Sequence, residues 1–410
     1  MELPAMRIAR YAKKLASLVG LLLLLMDATS AQPRGEPPAP QSARLELINA
    51  SSSEIHAYWL REDGSERLTL KVQPDGRQNI RTTVGHIHVI RDSNGKELDR
   101  VQCTQPIQGH YFHHAGQIRL AGLVDELPHN QVLKIPANVN VPAFYTKLIL
   151  AGGYPVVGSS SVDDYALKEA AFLINQLLSK RPATCAAMIR SGSRMCIMSE
   201  DEFTTDLPEF RWLAARSPVD GVAGRDYWDA RARGLGGSET DPFCSVGEEN
   251  LLAFKNDPYW TENILIHEFA HNIHLRGLLN VDRTFDRRLK RTYDTAMAKG
   301  LWKGKYASVN HHEYFAEGVQ SWFDDNREND HDHNHVNTRA ELVDYDSGLA
   351  DMCREVFGDT QLKYTKPTSR LTGHMAGYDQ KLAPVFKWPD RLTTAKREIH
   401  RLAQERSAED

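Results

Sequence analysis

One run, Thr261-Glu262-Asn263-Ile264-Leu265-Ile266-His267-Glu268-Phe269-Ala270-His271-Asn272-Ile273-His274, limits what this chain can fold into more than any other. On a helix, positions i and i+4 stand one above the other, so His267 and His271 can offer two imidazoles to one metal ion. Glu268 lies about 100° round the axis, off that plane but within reach of a water at the ion. Ile264, Leu265, Ile266, Phe269 and Ile273 bury such a helix, and Asp257-Pro258 ahead of it offer an N-cap and a first helical residue. An amphipathic helix carrying two histidines by chance has the same pattern, so a third ligand has to decide. His274 is the nearby candidate. On a straight helix it lies roughly 10 Å beyond His267, too far for one ion to bridge. The pattern that takes its third histidine downstream needs Gly at 274 and His at 277, whereas this chain has His274 and Gly277. His274 therefore reads as a capping or supporting residue.

A better third ligand follows in the run 306–323, where Glu313 and Glu317 share one helical face. Tyr314, Phe315, Val319, Trp322 and Phe323 supply core for that helix. Two inward carboxylates among aromatics are costly unless paired or metal-bound, so Glu313 reads as the ligand. Glu317 then accepts a hydrogen bond from a ligand histidine. An amphipathic helix with exposed glutamates is the plainer reading of these residues.

His-Glu-Phe-Ala-His followed by Tyr306, Glu313-Tyr314-Phe315-Ala316-Glu317 resembles the catalytic domain of the anthrax lethal factor-like metallopeptidases over about 258–323. The resemblance implies one catalytic zinc ion on His267, His271 and Glu313, with Glu268 as general base. It implies Tyr306 as the group that stabilises the oxyanion; Asn310 matches an asparagine without an assigned role. The implied activity is hydrolysis of peptide bonds in a peptide or protein substrate. Two other readings are a binding protein that keeps the fold without catalysis and a zinc hydrolase of a non-peptide bond.

At 410 residues, 41% hydrophobic and 25% charged, the chain can build two cored domains. A net charge of −4 gives no reason to expect nucleic acid or an anionic membrane as partner. Residues 1–31 read as a secretory signal peptide: Arg7, Arg10, Lys13 and Lys14, an apolar core from Leu15 to Met26, then small residues to Ala31. An uncleaved anchor is the alternative. A Pro-rich linker at 32–42 follows, and the mature protein is expected to be secreted, extracellular or periplasmic, without a membrane span. In that setting five cysteines suggest disulfides and one leftover thiol; Cys185 with Cys196 and Cys244 with Cys353, leaving Cys103 single, is one arrangement, and the sequence does not fix the connectivity.

Residues 43–103 alternate in short β runs between Asp63-Gly64, Asp75-Gly76 and Asn94-Gly95 turns, which predicts a small β-sandwich. Its segments 55–60 and 85–92 resemble the β domain of the von Hippel–Lindau tumour suppressor, whose pocket captures a hydroxyproline-containing peptide. The resemblance places His86 on a pocket histidine and Thr82 on a pocket serine, and so implies a peptide ligand for this domain. The family's pocket tryptophan falls at His88, and a pocket tyrosine falls near Thr69. Residues 104–140, with His110, His113 and His114, read as a linker. Asp163 to Lys180 predicts a helix and 188–198 strand-like runs. The Gly234–Gly237 turn lacks the strand-then-helix setting of a phosphate loop. The polar run with His331, His333 and His335 reads as a solvated loop or a second metal site. The expected fold class is α+β: a small β-sandwich followed by a zincin-like metallopeptidase domain over 141–410.

Overall fold

The computed structural model describes residues 41–49, 51–74, 76–112, 127–136, 141–238 and 241–409. The signal segment and most of the Pro-rich linker lie outside the described residues, as do His113 and His114. Residues 42–410 form one compact unit of α+β class. No helix among the described residues is long and apolar enough to cross a membrane.

The N-terminal part is built of seven strands: β1 (Ser42–Asn49), β2 (Ile55–Leu60), β3 (Glu66–Val72), β4 (Arg77–Thr83), β5 (Ile87–Arg91), β6 (Glu97–Gln102) and β7 (Ile107–Phe112). They pair as two sheets, β4-β1-β7 and β3-β2-β5-β6. Leu45, Leu47, Ile55, Ala57, Ile80 and Ile90 point inward from the two sheets and close a small core, as alternating patterns dictate. The seventh strand corrects the reading of 104–140 as a linker. Residues 107–112 pair in parallel with β1, and His110 is buried beside Asp99 at 3.1 Å. Too few apolar residues alternate there to mark a strand locally; pairing with β1 makes it one.

The larger part is centred on a six-stranded sheet in the order β12-β13-β11-β10-β9-β8. Its strands are β8 (Leu133–Lys134), β9 (Lys147–Ala151), β10 (Tyr154–Gly158), β11 (Arg194–Met198), β12 (Gly234–Leu235) and β13 (Phe243–Gly247). The central strands are apolar on both faces because both are covered. Ile149, Val156, Ile197 and Val246 face one core, while Leu148, Val157, Cys196 and Phe243 face the other.

Helices α1 (Asp164–Leu178), α2 (Pro182–Arg190), α3 (Gly224–Arg231) and α4 (Glu248–Leu251) precede the motif helix α5 (Ile264–Asn272). That helix runs on through a π-helical stretch, Ile273–Leu278, into α6 (Leu279–Val281). Then come α7 (Phe285–Ala298), α8 (His311–Trp322), α9 (Arg339–Tyr345), α10 (Ser347–Phe357) and α11 (Thr393–Glu409).

The cysteine pairing expected above is corrected: all five cysteines are free and buried. Cys185 sits on helix α2 in the core of one sheet face, and Cys196 points from β11 into the other. The sheet itself separates the two thiols. Burial pushes the Cys185 thiol up to about 11, which leaves it protonated and unreactive.

The sandwich is docked on the larger part. Ile48 joins the core under the six-stranded sheet, Arg77 Nη2 lies 3.1 Å from Asp241, and Arg283 donates to the Ser42 carbonyl at 3.2 Å.

Candidate functional site

Helix α5 begins later than the sequence suggests. Asn263, not Asp257, is its N-cap, accepting from Leu265 N at 3.1 Å. Asp257 instead accepts from Tyr259 N and from the Asn250 amide, both at 2.9 Å. Asn250 in turn holds Ile264 N at 2.9 Å, so a buried amide fixes where the helix starts. From there Leu265, Phe269 and Ala270 pack into the core, and His267 and His271 face away from it.

Helix α8 crosses this face. Its N-cap is Asn310, whose side chain accepts from His312 N at 2.8 Å and Glu313 N at 3.0 Å. This gives Asn310 a role the sequence left blank: it sets the first turn that carries Glu313, at the positive end of the helix dipole. Tyr314, Phe315, Val319, Trp322 and Phe323 are buried as expected.

The result is a triangle of donor atoms. Glu313 Oε2 lies 3.1 Å from His267 Nε2 and 3.2 Å from His271 Nε2, and the two Nε2 atoms are 3.3 Å apart. Ligands at about 2.0–2.1 Å around a tetrahedral ion stand roughly 3.3 Å from one another, so all three edges match that geometry. Two imidazoles and a carboxylate are also the donor set zinc takes in sites with an open fourth position. Burial works against ionising Glu313, yet the two imidazoles hold its carboxyl well below the usual range.

Behind the triangle, His267 Nδ1 donates to Gln320 Oε1 at 2.8 Å and lies 3.4 Å from Glu317 Oε1. The predicted partner Glu317 is thus in place, but Gln320 makes the shorter contact. The Gln320 amide donates onward to Glu262 at 2.8 Å, and Glu262 pairs with Arg327 at 2.9 Å. Glu317 also faces His333 Nε2 at 3.3 Å. Burial raises the Glu317 carboxyl, but its bonds to His267 and His333 hold it well below the usual range. With Nδ1 committed as donor, His267 would present the Nε2 lone pair to a metal ion held in the triangle.

Glu268, Tyr306 and His312 line the same cleft of about 550 Å³. Burial raises the Glu268 carboxyl above the usual range despite the pull of His267 and His271. Tyr306 sits on a single 3₁₀ turn, Tyr306–Ser308, with its ring centre 6.1 Å from that of His267. Burial and the charge of Glu313 push its phenol up to about 12, against the pull of the His267 and Arg231 charges. The phenol is therefore a proton donor at neutral pH.

The opposite wall is the glycine run read as a turn. Gly234 and Leu235 form the edge strand β12, and Gly236 lies against the motif helix. A Cβ at Gly236 would sit 2.7 Å from His271 Cδ2 and 2.9 Å from Glu268 Oε2. Only glycine lets the backbone come so close. Arg44 and Asn79 of the sandwich complete the cleft.

His86 and Thr82 come together with His88 in the sandwich. Thr82 Oγ1 lies 3.2 Å from His86 Nδ1 and 3.0 Å from His88 Nε2, and Trp59 stacks on His86 at 4.8 Å. They line a cavity of about 890 Å³ whose charged residues are Arg44, Arg67, Arg81 and Arg283, with no carboxylate among them. Burial, with His86 and His110 nearby, lowers His88 to about 4. Arg44 borders both this cavity and the cleft. In the histidine loop, His333 turns inward to Glu317 while His331 stays exposed, and among the described residues the loop assembles no metal-binding group.

No family model matches the sequence, and no curated protein matches it. Among solved structures, an NMR structure of a protein from Eubacterium rectale is matched at 9% identity, covering 19% of this chain and 84% of that one. Its TM-score of 0.15 carries no argument about fold or function.

Proposed function

We propose that this protein is an exported, zinc-dependent metallopeptidase of zincin type, with the zinc on His267, His271 and Glu313. The observation that carries the reading is the donor triangle, whose edges of 3.1, 3.2 and 3.3 Å fit tetrahedral coordination. Zinc held there would supply a water acidic near neutral pH and a Lewis acid for the substrate carbonyl.

The chain's own residues supply the rest. Glu268 Oε takes the proton of the attacking water and passes it to the leaving amine nitrogen. Its raised pKa keeps it a base strong enough to accept that proton and acid enough to release it. Tyr306 Oη, protonated at neutral pH, donates to the carbonyl oxygen as negative charge develops there. An extended peptide lies along β12, the edge strand of the sheet, whose glycines bring the backbone close to His271 and Glu268. The Arg-lined cavity around His86 and Thr82 holds a second, acidic segment of the same substrate, since Arg44 lies on the way from one to the other.

Exposure of a diverse peptide library to the protein, with Glu268→Ala as control, tests this reading. Cuts present with the wild type and absent from the variant support it. An intact library after incubation with folded, zinc-loaded protein contradicts it.

A further inference from the structure

One turn beyond the donor triangle the chain assembles a second group of the same kind. His274, Asp286 and His312 each present one donor atom, all within 4.8 Å of one another. They come from three elements: the π-helical stretch after α5, the first turn of α7 and the first turn of α8.

His274 is the informative member. It is fully buried, and neither of its ring nitrogens has a hydrogen-bond partner. The Asp286 carboxylate faces Nε2, so the unsatisfied group is Nδ1, and a buried polar atom without a partner carries a cost that a native core rarely tolerates. Its Nε2 lies 3.2 Å from Asp286 Oδ1, off the line of a hydrogen bond but at the ligand-to-ligand edge of a tetrahedral site. His312 Nε2 is 3.9 Å from the same oxygen. The supports are in place as well. His311 Nε2 donates to Asp286 Oδ1 at 2.8 Å and orients the carboxylate, while Phe285 and Phe315 pack edge-on to the His274 ring at 5.5 and 5.6 Å.

We propose that His274, Asp286 and His312 bind a second divalent transition-metal ion of the zinc class. Two imidazoles and one carboxylate select such an ion over calcium or magnesium, which take oxygen donors. The second ion would clamp three helices together beside the first. His274 follows His271 by less than one turn, and His312 is the neighbour of Glu313, so the clamp fixes the elements that carry all three of the first site's proposed ligands. The assignment stands independently of peptidase activity.

Chelator-stripped full-length protein, reloaded with Zn²⁺ alone and freed of excess, is assayed for bound zinc by native mass spectrometry. Wild type is expected to hold two ions per chain, and His274→Ala, Asp286→Ala and His267→Ala one each. Asp286 is partly exposed, so its variant keeps the test alive if His274→Ala does not fold. An ion that Asp286→Ala loses and His267→Ala keeps supports the second site, whatever becomes of the first. Zinc content in Asp286→Ala equal to that of wild type overturns it.

Discussion

At the scale of single residues, the site separates groups that hold the proposed ion from groups that would act on substrate. Tyr306 touches none of the three ligand atoms in the hydrogen-bonded set, yet lines the cleft with its proton in place. Tyr306→Phe is expected to lower kcat by about 10²–10³, the range for loss of one oxyanion donor, with zinc content unchanged. Steady-state kinetics with metal analysis on the same sample checks this; a variant that loses zinc instead would make Tyr306 a structural residue. Gln320 belongs to the other group. Gln320→Ala removes the acceptor of His267 Nδ1 and should weaken zinc binding about 10–100-fold, read by competition with a chelator of known affinity. Unchanged affinity would assign that role to Glu317 alone. The donor residues His267, His271 and Glu313 are legible in the sequence because fixed i, i+4 spacing carries them, and Glu317 follows from the same spacing. Gln320 is not legible: one turn on from Glu317, it is an ordinary helical glutamine until Glu262 and His267 arrive from another element.

At the scale of elements, the cleft depends on how closely a β edge approaches a helix. Gly236 has no room for a side chain against His271 and Glu268. Gly236→Ala should displace one or both and reduce kcat/KM by about 10²-fold or more, as ångström-scale misplacement of catalytic groups does. Near wild-type turnover would mean that the edge strand is not a wall of the working site. The glycine run is recognisable in sequence as a turn, but its partner lies thirty-odd positions on along the chain, so its purpose emerges only with packing. The π-helical stretch 273–278 is hidden for a related reason. No local propensity marks it, and a straight helix assumed there leaves His274 as a supporting residue instead of a member of its own cluster. Cysteine counting fails at this scale too, because the sheet, invisible to parity, stands between Cys185 and Cys196.

At the scale of the whole molecule, the sandwich is part of the cleft as well as a neighbour of it. Arg44 and Asn79 line the cleft beside the donor triangle, and Arg44 and Arg81 sit directly opposite each other across β1 and β4. Arg67 and Arg81 are exposed, so Arg67→Glu with Arg81→Glu should leave the fold intact and raise KM for acidic peptides about tenfold or more, with kcat little changed. An equal effect on neutral peptides would remove the cavity from substrate binding. The division into a β part and an α/β-rich part was readable from the switch in hydrophobic period. The contact between them was not, since Ile48, Arg77 and Asp241 carry no local mark of meeting. The central claim, that Glu268 works as the base beside a zinc ion on His267, His271 and Glu313, is tested most directly by Glu268→Gln. This near-isosteric change keeps the ligands and removes the proton acceptor. The account predicts wild-type zinc content with peptide hydrolysis reduced by at least about 10²-fold; a zinc-loaded Glu268→Gln protein that cleaves peptides at the wild-type rate would contradict it.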